Sequence, residues 1–183
     1  MKLLVLICAL LVTPAQAQDE PWALLRQGGH VVLLRHALTN GGVGDPPDMR
    51  LEDCTTQRNL SDEGRSQARR IGEAFRQFRV PIDGLLSSEW CRCIETAALA
   101  FGHGGELWPA LNNLFGRSEN RQKQVEALAA RVGSWRGKGN LVLVTHGSTI
   151  LALTRVGTQM GEMLILAPQG ENRFALVSRW VVQ

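Results

Sequence analysis

Four side chains in this chain are suited to one chemistry: Arg35, His36, Arg92 and His146. Arg35-His36 ends the apolar run Val31-Val32-Leu33-Leu34, and His146-Gly147 ends a second run over 141–145. Arg92 follows the serine pair Ser87-Ser88, which ends a third run from Ile82. The planar fork of arginine matches phosphate and carboxylate oxyanions, and an unprotonated imidazole is a competent nucleophile. A metal site would want histidines with carboxylates or thiols at ligand spacing, and His30, His36, His103 and His146 show none. Cys91-x-Cys93 also lacks zinc spacing. There is no G-x-S-x-G elbow, no G-x-x-x-x-G-K-[ST] loop and no G-x-G-x-x-G turn. Elimination leaves a phosphate pocket with a histidine nucleophile, and no metal or organic cofactor is implied.

Such a pocket needs elements that bring distant residues to one edge. The run 31–34 has no polar alternation, which fits a strand covered on both faces. Ser61, followed by Asp62 and Glu63, predicts a capped helix start, and Ala68, Ile71, Phe75 and Phe78 mark its apolar face. The pattern predicts a strand over 82–87 and a helix over 88–101 with Arg92 in its first turn, a natural anion site. It also predicts a helix over 119–132, a strand over 141–145 and a helix capped by Ser148. Two closing strands over 163–167 and 174–182 are joined as a hairpin. A short helix is expected over 22–27 and irregular chain over 102–116. The segment 41–59 is rich in Gly, Pro and Asp, and a loop of that length usually serves as a lid or binding loop. In an open α/β sheet the carboxyl ends of the strands are where ligands bind, which is where these readings put Arg35, His36, Arg92 and His146.

The same residues fall into four motifs in order. They are Arg35-His36-Ala37-x-Thr39, Leu60-Ser61-x-x-Gly64-x-x-Gln67-Ala68, Ser87-Ser88-x-x-x-Arg92-x-x-x-Thr96-Ala97 and Val144-Thr145-His146-Gly147. This pattern resembles the histidine phosphatase superfamily, the phosphoglycerate-mutase-like group. The resemblance implies an α/β fold, a three-layer α/β/α sandwich on a mostly parallel sheet. It also implies that His36 attacks phosphorus to give a phosphohistidine, that Arg35, Arg92 and His146 hold the phosphoryl oxygens, and that Thr39 adds a phosphate contact. Ala37 and Leu38 depart from the glycine and glutamate common at those positions. The usual carboxylate general acid is replaced in Leu111-Asn112-Asn113-Leu114-Phe115-Gly116 by asparagines. The general acid is therefore unassigned, with Glu106, Glu119, Asp45, Asp48 and Asp53 as the acids that could reach in. A missing acid favours leaving groups that need little protonation, such as a phosphoramidate. The expected function is an exported phosphatase acting on a small phosphomonoester, including an envelope sugar phosphate. A phosphohistidine phosphatase or a weak member that only binds a phosphorylated ligand are the alternatives.

Residues 1–17 read as a secretory signal peptide: a basic start, an apolar run over 3–12 and the small-x-small site Ala15-Gln16-Ala17. That run is far shorter than the roughly 20 apolar residues of a spanning helix, so a periplasmic or secreted protein is expected, without a membrane span after cleavage. Residues 18–183 are then one domain. Losing Lys2 reduces the formal charge from +3 to +2, which gives no warrant for a nucleic-acid partner. Three cysteines remain, and an oxidising compartment permits a disulfide from Cys54 to Cys91 or Cys93.

Overall fold

The computed structural model describes residues 14–117 and 119–182. Most of the expected leader, including its apolar run, lies outside the described residues. Six strands form one sheet: β1 (Val31–Arg35), β2 (Ile82–Ser87), β3 (Glu106–Leu107), β4 (Asn140–Thr145), β5 (Glu162–Pro168) and β6 (Phe174–Val181), in the order β3-β2-β4-β1-β5-β6. Strands β3, β2, β4 and β1 are parallel, β5 pairs antiparallel to β1, and β6 closes the sheet antiparallel to β5. Because β1, β2 and β4 run the same way, Arg35, Ser87 and Thr145 end at one edge of the sheet.

Alternate strand residues divide between two cores, as the two-residue strand period requires. Val32, Leu34, Val142, Val144, Met163 and Ile165 pack on α1 (Pro14–Gln27), α2 (Asp62–Gln77) and α3 (Cys91–Phe101) through Trp22, Leu25, Ile71, Phe75, Ala97 and Ala100. Val31, Leu33, Leu141, Leu143, Leu164 and Leu166 pack on α4 (Arg121–Gly133) and α5 (Gly147–Thr154) through Leu128, Val132 and Ile150. Both faces are apolar because both are covered, which makes the three-layer sandwich. The Ser61 cap forms as its position indicates, accepting from the Gly64 N–H at 3.0 Å.

Five local readings change. Helix α1 begins at Pro14 rather than Trp22. Helix α3 begins at Cys91 rather than Ser88, because the Ser88 N–H still donates to Val144 of the sheet at 3.0 Å. Arg92 nevertheless lies in its first turn. Helix α4 begins at Arg121, two residues after the expected start. Helix α5 is capped by the His146 backbone, and the Ser148 hydroxyl turns instead to Asn113 at 2.7 Å. Within 102–116, Glu106–Leu107 adds an edge strand to β2, too short for any periodicity to announce.

The segment 41–59 is folded, not slack. Asp53 caps a 3-10 turn over Cys54–Thr56, and Cys54 is disulfide-bonded to Cys91 at the start of α3. Cys93, two residues further round that helix, faces the core and stays a buried free thiol.

Candidate active site

The carboxyl edge of the sheet holds a cavity of about 300 Å³ lined by Arg35, His36, Arg58, Arg92 and His146, with Asn113, Ser148 and Met160 among its other walls. His36 and His146 are each 2% exposed and Arg92 1%. Three of the four chemistry-bearing residues are thus buried polar groups at one spot. Thr39 is not brought in: its hydroxyl points at the Met160 sulfur at 3.6 Å, and its backbone bridges to Leu60.

His36 is held by backbone carbonyls on either side. Its N–H donates to the Thr145 carbonyl at 2.9 Å, and ring Nδ1 lies 2.9 Å from the Ala37 carbonyl. A carbonyl only accepts, so Nδ1 carries the proton and Nε2 keeps its lone pair. Burial, then the Arg92, Arg35 and Arg58 charges, push the His36 pKa down to about 3. The His36 imidazole is therefore unprotonated throughout the neutral range.

His146 is set by a different network. Arg92 Nη2 lies 3.4 Å from His146 Nδ1, and His146 Nε2 lies 2.8 Å from the Ser88 hydroxyl. A guanidinium only donates, so Nδ1 is the acceptor and Nε2–H donates to Ser88. Burial, then the neighbouring His36 and the arginine charges, hold its pKa well below the usual histidine range. Ser88 is itself fixed by Asn112, whose Oδ1 accepts from its hydroxyl at 3.1 Å. The two imidazoles meet edge to face with centroids 5.4 Å apart.

Each arginine arrives from a different element. Arg35 ends β1 and donates to the Thr158 carbonyl. Gly147 allows this approach, since a Cβ there would lie 2.9 Å from the Arg35 guanidinium. Arg92 comes from the first turn of α3 and meets Asp45 in a fork, Nη1–Oδ1 at 2.6 Å and Nη2–Oδ2 at 3.1 Å. Arg58, which no motif announced, comes from the end of the disulfide-tethered segment. All three guanidiniums keep a buried Nε with no hydrogen-bond partner. Three guanidiniums around one cavity fit a ligand with several anionic oxygens.

Asp45 reaches the site, but as a counter-ion. Burial pushes its pKa up, yet the Arg92 fork, the Trp90 indole N–H and the Arg58 backbone N–H outweigh this and hold it below the usual carboxylate range. An ionised carboxylate has no proton to give. Asp53 caps its turn, Glu106 sits on the edge strand, and Glu119 lines a separate cavity of about 840 Å³; neither these nor Asp48 lines the cavity that holds His36. The wall position expected for an acid is Asn113, whose Oδ1 accepts from Ser148 Oγ and from the Phe115 N–H at 3.1 Å. Among the described residues, no cluster of three or more His, Cys, Asp or Glu side chains is arranged to hold a metal ion.

The sequence profile of the histidine phosphatase superfamily (branch 1) matches residues 31–137. The chain belongs to this superfamily. No curated protein matches it in sequence. Solved structures share the fold. SixA from Agrobacterium tumefaciens is 20% identical, with a TM-score of 0.56 over 84% of this chain and 98% of that one. The protein histidine phosphatase SixA, solved with tungstate, is 14% identical, with a TM-score of 0.60 over 83% of this chain and 96% of its own. A mycobacterial glucosyl-3-phosphoglycerate phosphatase, solved with VO3, is 20% identical, with a TM-score of 0.59 over 85% of this chain and 100% of its own.

Proposed function

We propose that the chain is an exported phosphatase that hydrolyses a terminal phosphoryl group through a phosphohistidine on His36. One observation carries this reading: a neutral imidazole with its Nε2 lone pair free lines a cavity walled by three guanidiniums. His36 Nε2 forms a bond to phosphorus while the bond from phosphorus to the leaving oxygen breaks, the electron pair departing with that oxygen. Water then attacks phosphorus, the N–P bond breaks, and its electron pair returns to Nε2. Arg35 and Arg92 meet the charge that builds on the equatorial oxygens, where preorganised donors contribute most. His146 accepts from Arg92 through Nδ1 and so helps to aim that guanidinium.

The amide at Asn113 and the ionised Asp45 favour leaving groups that depart without a strong acid: an aryl or acidic sugar phosphate, or the imidazole of a phosphohistidine. Of the neighbours, SixA bears a phosphohistidine activity in its name, while the glucosyl-3-phosphoglycerate phosphatase is named for an alkyl ester. The Cys54–Cys91 disulfide and the leader pattern support an oxidising address outside the cytoplasm.

The test is phosphate release by residues 18–183 from aryl, alkyl and phosphoramidate substrates, beside His36→Ala. Turnover that depends on His36, with a ³²P label trapped as acid-labile phosphohistidine, is the expected result. Turnover that survives His36→Ala would overturn the assignment.

A further inference from the structure

We propose that Arg58 is a third oxyanion-binding guanidinium of the catalytic cavity, and that the Cys54–Cys91 disulfide holds it there. The proposal rests on the reading of this cavity as a phosphoryl site and extends it. The tether makes the cavity's affinity for a phosphoryl group depend on the disulfide.

Arg58 lines the cavity beside His36, Arg35 and Arg92. Its guanidinium reaches only one neutral partner, the Gly42 carbonyl at 2.7 Å from Nη1, and its Nε is buried without a partner. Burial and the Arg92 charge push its pKa down, and Arg58 in turn lowers those of Arg35, His36 and His146. A half-buried cation set against two others, with no carboxylate on its guanidinium, is costly by itself. An anion in the cavity would neutralise that cost. The three guanidiniums less the Asp45 carboxylate leave two positive charges, which match a terminal phosphoryl group better than the single charge of a diester.

The backbone of Arg58 is fixed to the element that carries Arg92. Its N–H donates to Asp45 Oδ1 at 3.2 Å and its carbonyl accepts from Arg92 Nη1 at 3.3 Å. One residue earlier, Gln57 Oε1 accepts from the Cys91 N–H at 3.0 Å, while its Nε2 donates to the Arg50 and Leu51 carbonyls at 3.0 Å each. Asn59 Nδ2 donates to the Cys54 carbonyl at 2.6 Å. The disulfide thus joins the segment to α3 one residue before Arg92, and the bonds around it carry Arg58 to the cavity wall. Besides the covalent link, the segment is tied down by the Asp45–Arg92 ion pair, the Gln57 bonds and the packing of Met49 and Leu51 on the core, but the disulfide is the tie that lies between Arg58 and the start of α3.

The experiment is calorimetric titration of tungstate and of inorganic phosphate into the oxidised protein, Arg58→Ala, Arg58→Lys, Cys54→Ser/Cys91→Ser and His36→Ala. Losing a hydrogen bond to a charged group corresponds to about 10- to 100-fold in affinity. Arg58→Ala is expected to weaken tungstate by that factor with an unchanged melting temperature, and Arg58→Lys to recover part of it. Cys54→Ser/Cys91→Ser is expected to weaken tungstate too, and adding Arg58→Ala to it is expected to change little more. Where that double variant does not fold, the comparison is made on folded wild type after reduction. Arg58→Ala binding tungstate as tightly as wild type would overturn the proposal, as would a disulfide-free protein with full affinity. His36→Ala keeps the two readings apart. If wild type shows no turnover yet binds tungstate through Arg58, the phosphatase reading fails and this one stands. If turnover depends on His36 while Arg58→Ala leaves affinity intact, this one fails alone.

Discussion

Replacing Asp45 by alanine is the sharpest probe of how the cavity is held. The Asp45 side chain is 9% exposed and that of Arg92 1%. Alanine removes both arms of the Arg92 fork, the bond from Trp90 Nε1 at 2.9 Å and the bond from the Arg58 N–H. Removing one partner of a buried pair typically costs about 3–5 kcal/mol, because the other charge is left uncompensated. For a domain of this size each kcal/mol shifts the melting temperature by about 2–4 °C, so a fall on the order of 10 °C is expected at pH 7. Arg92 loses the contact that aims it, and turnover is expected to fall about 10- to 100-fold, less than the 10²- to 10³-fold expected for Arg92→Ala. Because folding lowers the Asp45 pKa, its contribution is complete above the ordinary carboxylate range and fades as pH falls below it. The gap between wild type and Asp45→Ala should therefore close in acid. The assays are thermal unfolding from pH 3 to 8 and a double-mutant cycle with Arg92→Ala. A melting shift under 2 °C, or variants whose costs simply add, would refute the argument. A faster Asp45→Ala enzyme would show that the carboxylate obstructs the cavity.

Two further expectations follow from the buried groups. His36 and His146 are both depressed on folding, so the unfolded chain takes up more protons below about pH 6.5 and stability falls from there toward pH 3; His36→Asn should flatten that slope in acid unfolding, and an unchanged slope would count against the buried neutral state. Gly64 packs so closely that a Cβ would run into the Leu38 carbonyl, so Gly64→Ala should destabilise by more than its helix propensity returns and loosen the turn after His36; a rise in melting temperature would contradict this.

The sheet was legible in the sequence because its strands are short apolar runs ended by chemistry-bearing residues, and the two-faced cover follows from their lack of alternation. His36, Arg35, Arg92 and His146 were legible for the same reason: each sits one or two residues past a readable element, or in the first turn of one. Arg58 was not, because it lies in 41–59, where neither period applies and position is set by a disulfide and by side-chain bonds to α3. The nearest signal was Cys54, four residues before it. Asp45 was visible as an acid in reach, but only the fork with Arg92 decides that it is a counter-ion. Thr39 followed from the motif, yet its place is set by a backbone bridge to Leu60 and a contact with Met160, both distant in the chain. Ser148 had the residue type of a helix cap, but the Asn113 carbonyl competes for its hydroxyl, a contact across 35 residues that no local pattern carries.

The remaining question at this site is where the leaving group finds its proton. Asp45 is ionised, Asn113 is an amide, His36 keeps its only proton on Nδ1 against a carbonyl, and His146 commits its own to Ser88. The Cys93 thiol, 3.4 Å from His146 Nε2, is pushed by burial up to about 12, so it keeps its proton but is too weak an acid to supply it readily. The proton for a basic leaving oxygen must then arrive with the substrate as the monoanion, which predominates below a second phosphate pKa of about 6. In that range most histidine nucleophiles would be lost to protonation. Here burial and three guanidiniums keep His36 unprotonated down to about 3. The charge cluster that makes the fold sensitive to acid is thus the same one that keeps the nucleophile available where the substrate brings its own proton. Alkyl esters should accordingly be turned over best on the acid side of 6, while aryl phosphates and phosphoramidates gain little from that shift.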